Sequence, residues 1–538
     1  MDMPLRQSIR LINFPNTLIC LLSSNAYSEA IEIILTNATR QTTTPNTMSE
    51  IKDTRKRSAD SVTLTPKKAR LTSSSILHRY SKLPNINAVP QGRTEPLDLF
   101  VWGTGSMCEL GLGPKANTKE VKRPRLNPLL TPEVIKAEGI VDFAVGGMHV
   151  LSLDSNNSVW SWGTNDSKVL GRNTSKAKEN LKAIDDGAAS DDEDGDLNEL
   201  ESTPGRVENL PKTDSKIVQL AATDNLSAIL YQNGDVYTWG TFRSNEGLLG
   251  FSKTTEYQEK PLKQKNLKNI VQLAAGKDHM LALDAKGIVY AWGNGQQFQL
   301  GRKILERHKF SALEPQQFGL YDIKYIASGD FHCFAIDNND RVFTWGLNQY
   351  GQCGVTNEHG ELEDGSVISK PEEVVALSAM KVKEIVGGEH HSLALTESGD
   401  VYSWGRFDMK EVGIPEDKLP ESTFKDAHGK PRSVPVPTKL TIGSDSVKFK
   451  TIGTGSHHSF AVTTDGVVFS WGFGDTYAPG LGPLDGDVDV PTRIFNTATK
   501  YEDIKIIGAG GQFSVSAGKK MDEDEAEDRN DKYEDMGV

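Results

Sequence analysis

The stretch Ile270–Arg302 reads IVQLAAGKDHMLALDAKGIVYAWGNGQQFQLGR. It holds three short apolar runs, Ile270–Ala275, Met280–Asp284 and Ile288–Trp292, separated by the polar turns Gly276-Lys277-Asp278 and Ala285-Lys286-Gly287. Runs of this length, rich in Val, Ile, Leu, Tyr and Trp and bounded by Gly, predict the strands of one antiparallel meander. A meander this small cannot cover both of its faces, so it requires copies of itself.

The copies are visible. Trp-Gly recurs at Trp102, Trp162, Trp239, Trp292, Trp345, Trp404 and Trp471, which uses seven of the eight tryptophans. A Gly-x-x-His turn precedes most of these pairs and ends at His149, His279, His332, His391 and His458. A four-strand unit recurring about every 50 residues, with insertions, is the pattern of a propeller. The ends of the array decide between a ring and an open stack. Asp98–Trp102 has a Trp-Gly strand but no inner strands before it, and Ile504–Ala517 has inner strands but no Trp-Gly after it. The two halves make one blade, which removes the free sheet edges. The fold expected is therefore all-β: a seven-bladed β-propeller closed by a blade shared between N- and C-terminal strands, with disordered tails.

The 538 residues divide around that body. Residues 98–518 form the propeller. Residues 1–47 are an uncertain extension that loosely mimics a signal peptide, and Met48 is the preferred natural start. Residues 48–97 are a basic arm poor in large apolar residues, expected to lack a fixed structure. Lys56 and Arg57, then Lys67, Lys68 and Arg70, are spaced like a bipartite nuclear import signal, with a solvated charge run as the plainer reading. An import receptor would read such a signal, and the same arm suits DNA phosphates. Residues 178–202 are read as an acidic loop insertion and 519–538 as an acidic disordered tail. The net charge of −13 argues against the body binding DNA by bulk charge. Four cysteines without framework or metal spacing fit a reducing compartment. No apolar run is long enough to span a membrane.

The repeat, with its V-Y-x-W-G strand, its Gly-x-x-His turn and its Leu-Gly ends (Leu110-Gly111, Leu170-Gly171, Leu300-Gly301, Leu481-Gly482), resembles the regulator of chromosome condensation family. WD-type propellers fit less well, because no Trp-Asp occurs. The resemblance implies guanine nucleotide exchange on the nuclear small GTPase Ran, without covalent chemistry or a cofactor. It further implies a place on chromatin inside the nucleus, and a role in nucleocytoplasmic transport and the spindle. An adaptor or chromatin-binding scaffold without exchange activity is the alternative, since propellers host many roles.

Departures from the repeat mark the candidate site. After Trp239-Gly240 comes TFRSNEGLLGF, a tight-turn sequence flanked by apolar residues. By resemblance this hairpin (Thr241, Phe242, Arg243, Ser244, Asn245, Glu246, Gly247) is the wedge set against the nucleotide site of the GTPase. The resemblance also carries GTPase contact to Asp224, Asp278, Arg302, His149 and His391, with His390 open beside His391. Ser106 and Phe513 stand where the family's pattern has an acidic residue and a His, which puts those two contacts in question. A His repeated in five turns can equally be what holds each turn. Ring symmetry keeps the five histidines in different blades, so they do not form a metal site. The sequence has no Walker loop, nucleophile elbow or Cys-x-x-Cys. The basic loop after Arg302 (Lys303, Arg307, Lys309) is a candidate contact for the nucleosome, which the other face of the disc would meet.

Overall fold

The computed structural model describes residues 92–175, 197–357, 362, 366–442, 447–484 and 486–537. The import-signal residues, the extension 1–47, most of the arm and residues 178–196 of the insertion lie outside these. Of the two units into which the chain divides, only Thr72–Val538 contains described residues.

The meander read from Ile270–Arg302 is present as Ile270–Ala275, His279–Asp284 and Val289–Gly293, joined at its outer edge by Gln316–Gln317. Six further antiparallel sheets repeat it, and their innermost strands follow one another around a central channel. The seven-bladed propeller expected from the sequence is the fold observed. Blades are numbered here by their Trp-Gly pairs, from Trp102 in blade one to Trp471 in blade seven. Closure also follows the expectation: Asp98–Thr104 lies antiparallel to Phe513–Lys520, with Phe100 opposite Ser516 and Trp102 opposite Ser514.

In each blade the first turn and the loop after Trp-Gly lie at the same end, since His279 pairs with Gly293 and the Asn294 N–H donates to the Asp278 carbonyl at 2.7 Å. These turns and loops make one face of the disc, called the upper face below. Turns such as Asp284–Gly287 make the lower face.

The repeated residues are explained by one hydrogen-bonded unit between neighbouring blades. His149 Nε2 lies 2.9 Å from Ser227 Oγ, Ser227 Oγ donates to the Val169 carbonyl at 2.8 Å, and Trp239 Nε1 donates to that same carbonyl at 2.6 Å. The pattern recurs with His332, Ser392, the Gln352 carbonyl and Trp404. It recurs again with His391, Ser459, the Glu411 carbonyl and Trp471, and with His458, Ser514, the Ala478 carbonyl and Trp102. Cys333 takes the serine's place between His279 and the Gln299 carbonyl. Since the hydroxyl's proton goes to the carbonyl, the imidazole must donate from Nε2. The first glycine of the Gly-x-x-His turns is needed for space: a Cβ on Gly276 would fall 2.1 Å from His279 Cε1, and one on Gly146 would fall 2.7 Å from His149 Cε1.

Two blades lack the His, and in both the next blade lacks the hydroxyl. Leu226 faces blade four, where Met280 stands in the serine position, and both belong to one apolar cluster. Phe513 faces blade two, where Val150 stands in that position, again within one cluster. Phe513 is therefore half of a matched apolar pair rather than a lost contact.

The acidic end differs from expectation. Glu523–Asp535 is an α-helix, N-capped by the Asp522 side chain, which accepts from the Asp524 N–H. It buries Ala526, Arg529, Asn530 and Tyr533, a stripe at i, i+3, i+4 and i+7. Tyr533 donates to Asp465 at 2.8 Å, and Arg529 donates to the carbonyls of Glu502 at 2.8 Å and Lys500 at 2.6 Å. Asp465 sits in a lower-face turn of blade seven, so the helix covers the lower side of the closure. Net acidity hid it, because two of its four inward residues are polar. The insertion is corrected in the same way at its end. Asn198 caps a short helix, Glu199–Ser202, whose Ser202 is buried and whose carbonyl accepts from the Gly113 N–H at 3.0 Å.

The inter-blade unit makes a double-mutant prediction. Phe513→His alone leaves a buried imidazole against Val150 and is expected to cost about 3 kcal/mol. Adding Val150→Ser supplies a hydroxyl beside the Glu109 carbonyl that already receives Trp162 Nε1 at 2.8 Å. The double variant should recover at least about 1 kcal/mol in denaturant melts, and strictly additive losses would contradict the unit.

Candidate functional site on the upper face

The loop after Trp239-Gly240 departs from its siblings in structure as well as sequence. Elsewhere the loop after Trp-Gly supplies the carbonyl that receives the next blade's indole N–H. Among the described residues Trp292 is the one repeat tryptophan without such a bond. The preceding loop is instead a hairpin, Arg243–Ser244 paired with Gly247–Leu248. Phe242 fills the space left behind, fully buried in one cluster with Trp292. Thr241 is buried too, its hydroxyl donating to the Glu256 carbonyl at 2.6 Å. Both residues anchor the hairpin and present nothing to a partner, which corrects their assignment as contact residues. Arg243, Asn245, Glu246 and Leu248 are exposed, with Ser244 and Gly247 half-buried. Leu248 is 41% exposed and is the apolar point of the projection.

Asp278, in the first turn of blade four, accepts at Oδ1 from the Arg243 N–H and from Asn225 Nδ2, both at 3.1 Å. Burial raises its carboxyl to about 6, against these bonds and the nearby Lys277 and Arg243 charges. Asp224 lies in the equivalent turn of blade three. Its N–H donates to the Lys277 carbonyl at 2.9 Å, and its carboxylate lies against Gly147. A Cβ on Gly147 would stand 2.4 Å from Asp224 Oδ1, so that approach needs the glycine. These links belong to a ring of backbone bonds around the channel mouth, in which Lys277 donates to Asp330 and Asp330 to Gly388.

The mouth is strongly charged. Burial, reinforced by neighbouring carboxylates, raises Asp224 and Asp330 to about 7 each. Lys277 is held above its ordinary value: burial opposes this, but Asp330, Glu389 and Asp224 outweigh it. Glu389 sits 3.2 Å from His457 Nε2. Against the cost of burial, this pairing brings Glu389 down to about 2 and, with Glu411, lifts His457 to about 9. Arg406 stacks over Tyr350 and pairs with Asp408.

The histidines divide cleanly. His149 and His391 are fully buried in the inter-blade units. They hold blades and cannot meet a partner at the surface, so the plainer reading of the repeated His replaces partner contact. His390, one residue earlier, is half-buried on the upper face, with its ring 4.9 Å from Tyr350 and its Nε2 3.8 Å from Glu389. Of the two residues left open by register, His390 is the one that reaches the surface.

Arg302 is also turned inward. Its Nη1 donates to the Ala291 carbonyl of its own blade at 3.0 Å, as Arg172 does to Ser161 in blade two, and burial lowers it to about 10. It is a repeat residue rather than a free fork for a partner carboxylate. The basic loop after it lies on the hairpin's face. Lys309 pairs with Glu306 at 2.8 Å and with Glu246 of the hairpin at 4.0 Å, so this loop does not serve the opposite face. The arm does reach that face: Arg93 Nη1 meets Asp142 Oδ1 at 2.6 Å, near the lower end of the channel. Sequence reasoning missed Lys277, Asp330, Glu389 and His457. Reading the second position of every first turn (Gly147, Asp224, Lys277, Asp330, Glu389, Ser456, Gly511) would have exposed the charged ring.

A family model described as the RCC1-like domain matches residues 98–516. The chain belongs to this family. It is 63% identical over 468 residues to Protein RCC1 of Candida albicans, covering 86% of this chain and 99% of that one. It is 56% identical over 448 residues to the guanine nucleotide exchange factor SRM1 of Saccharomyces cerevisiae, covering 82% and 91%. Among solved structures it resembles Prp20p from Saccharomyces cerevisiae, described with its binding to Gsp1p and histones. That match has a TM-score of 0.74 and 51% identity over 84% of this chain and 97% of that one. Yeast RCC1 (Prp20) bound to Kap60 matches with a TM-score of 0.76 and 50% identity, covering 88% and 99%. The RCC1-like family explains the ring; the hairpin and the charged mouth distinguish its upper face.

The two adjacent histidines separate stability from surface. His391→Ala removes the buried imidazole that bonds Ser459 and should cost about 3 kcal/mol at pH 7.5, whereas His390→Ala should stay within about 1 kcal/mol of the parent. Burial and neighbouring histidines hold folded His391 well below 6.5, so the unfolded chain binds a proton that the fold refuses. The stability from His391 is present above pH 6.5 and lost as pH falls. The cost of His391→Ala should therefore shrink between pH 7.5 and pH 5 in denaturant melts. A constant cost, or a larger one for His390→Ala, would contradict the assignment.

Proposed function

We propose that this chain is a guanine nucleotide exchange factor for the small GTPase Ran, acting on chromatin in the nucleus without covalent chemistry. The observation that carries the reading is the hairpin Arg243–Leu248. Among the described residues it is the one loop that gives up the inter-blade carbonyl, and it projects an exposed apolar residue beside a channel mouth lined by charged groups of both signs. The relatives' names support it: one is a guanine nucleotide exchange factor and another is described with Gsp1p and histones.

The mechanism needs only differential binding. The upper face holds the nucleotide-free GTPase more tightly than its nucleotide-bound forms, and the hairpin occupies space that the phosphate loop and Mg²⁺ require. By linkage, nucleotide then weakens the exchanger's grip by the same factor that the exchanger weakens nucleotide binding. GTP refills the site because it is supplied in excess. The mixed-charge mouth, with Asp224, Asp330 and Glu389 beside Lys277 and His457, offers charged groups of both signs for pairing with a partner, which favours specificity. The lower face, where residue Arg93 leads back to the basic arm, remains for chromatin. The paired basic clusters of that arm are the address for an import receptor, in keeping with the Kap60 complex of yeast RCC1. Adaptor activity without exchange is the competing reading, and the assay below separates the two.

Release of fluorescent GDP from Ran should accelerate strongly with the full chain. Arg243→Ala combined with Leu248→Ala should slow that release at least tenfold, equivalent to about 1.4 kcal/mol of lost transition-state stabilisation, with an unchanged melting temperature. No acceleration by the folded parent would leave the adaptor reading.

A further inference from the structure

The hairpin is a two-residue-by-two-residue ladder, and isolated hairpins of that size do not hold a shape in water. Something outside it must fix the projection. Two side chains of blade four do so, each held in turn by a neighbour. The Arg243 N–H donates to Asp278 Oδ1 at 3.1 Å. The Asn245 N–H, at the turn, donates to Gln296 Oε1 at 2.9 Å, and the Gln296 N–H is itself held by Asn294 Oδ1 at 3.0 Å. Asn294 is buried. From the other side, Asn225 Nδ2 donates to the same Asp278 oxygen, and Ser167 donates to Asn225 Oδ1 at 2.8 Å. A continuous chain of hydrogen bonds thus runs from blade two through the turns of blades three and four into the hairpin backbone. Behind the hairpin a small cavity lined by Ser244, Leu249, Asn294 and Ile304 separates it from the loop of blade four. Phe242 anchors the base of the hairpin by packing, and its projecting end leans on these polar groups.

We infer that Asp278 and Gln296 are positioning residues that clamp the exchange hairpin through its backbone amides, with blade four as the jaw and Asn225 holding Asp278 in place. This rests on the exchange reading above and assigns Asp278 a hydrogen-bond acceptor's role rather than a charge contact with the GTPase. Neither Asn225 nor Gln296 needs to touch the partner. Their loss frees the hairpin to sample orientations that do not reach the nucleotide site, so productive complexes become rarer while the rest of the upper face still binds.

The experiment compares the full-length parent with Asp278→Ala, Asp278→Asn and Gln296→Ala. Hydrogen exchange of the segment 243–248 is followed in the free protein, and GDP release from Ran is followed as kcat and KM. The clamp predicts at least fivefold faster hydrogen exchange at the hairpin in both alanine variants, with the blade strands unchanged. It also predicts a fivefold or larger fall in kcat with KM within twofold. Asp278→Asn keeps the acceptor and discards the charge, so it should restore both properties to near the parent's. If Asp278→Asn behaves like Asp278→Ala in GDP release while its hairpin exchanges at the parent's rate, Asp278 is a charge contact and the clamp is wrong. Unchanged hairpin exchange in both alanine variants would also overturn it. A parent that releases no GDP would instead overturn the exchange reading, leaving the hydrogen-exchange result to judge the clamp alone.

Discussion

The structure depends on a bond between blades: an imidazole N–H to a hydroxyl, the hydroxyl to a loop carbonyl, and an indole N–H to that same carbonyl. Sheets in a ring touch mainly through apolar faces, which attract without fixing register. The buried polar unit adds direction, because a buried donor or acceptor left unmet is costly. It sets each blade at one height and one tilt against the next. It also explains why the sequence spends its histidines, serines, turn glycines and tryptophans at fixed intervals. The matched exceptions, Leu226 with Met280 and Phe513 with Val150, follow the same constraint from its apolar side. Either both blades supply the polar halves or neither does.

Much of this was legible in the amino-acid sequence. The Trp-Gly intervals and the half-repeats at Asp98–Trp102 and Ile504–Ala517 specify blade number and closure, because strand patterning is local and repeats seven times. What was not legible depended on partners distant in sequence. The burial of His149 and His391 follows from hydroxyls more than 60 residues away. Arg302 resembles a free arginine until its own blade's carbonyl is seen beneath it. The C-terminal helix carries its inward stripe on Arg529 and Asn530 as well as Ala526 and Tyr533, so a search for apolar periodicity passes over it.

The candidate site arises where the constraint is relaxed. Blade three gives up the carbonyl that would receive Trp292, fills the gap with Phe242, and uses the freed chain as a projection. Polar groups of the adjacent turns serve the projection: Asp278 accepts from the hairpin backbone, and Asn225 holds Asp278. The same turns bring Asp224, Lys277, Asp330 and Glu389 to the channel mouth, where burial and mutual charge shift their protonation. The two faces thus differ in kind. The upper one carries a braced projection and a titrating ring, and the lower one carries the closing helix and the root of the basic arm.

The division of the faces is the central claim, and a hydrogen-exchange footprint of nucleotide-free Ran on the full chain tests it most directly. Slowed exchange is predicted at the hairpin 243–248 and the first turns around Asp224, Asp278 and Glu389–His390. Exchange in the helix Glu523–Asp535 and the turn around Asp465 should stay unaltered. Protection centred on that helix and turn, with the hairpin exchanging as in the free protein, would contradict it.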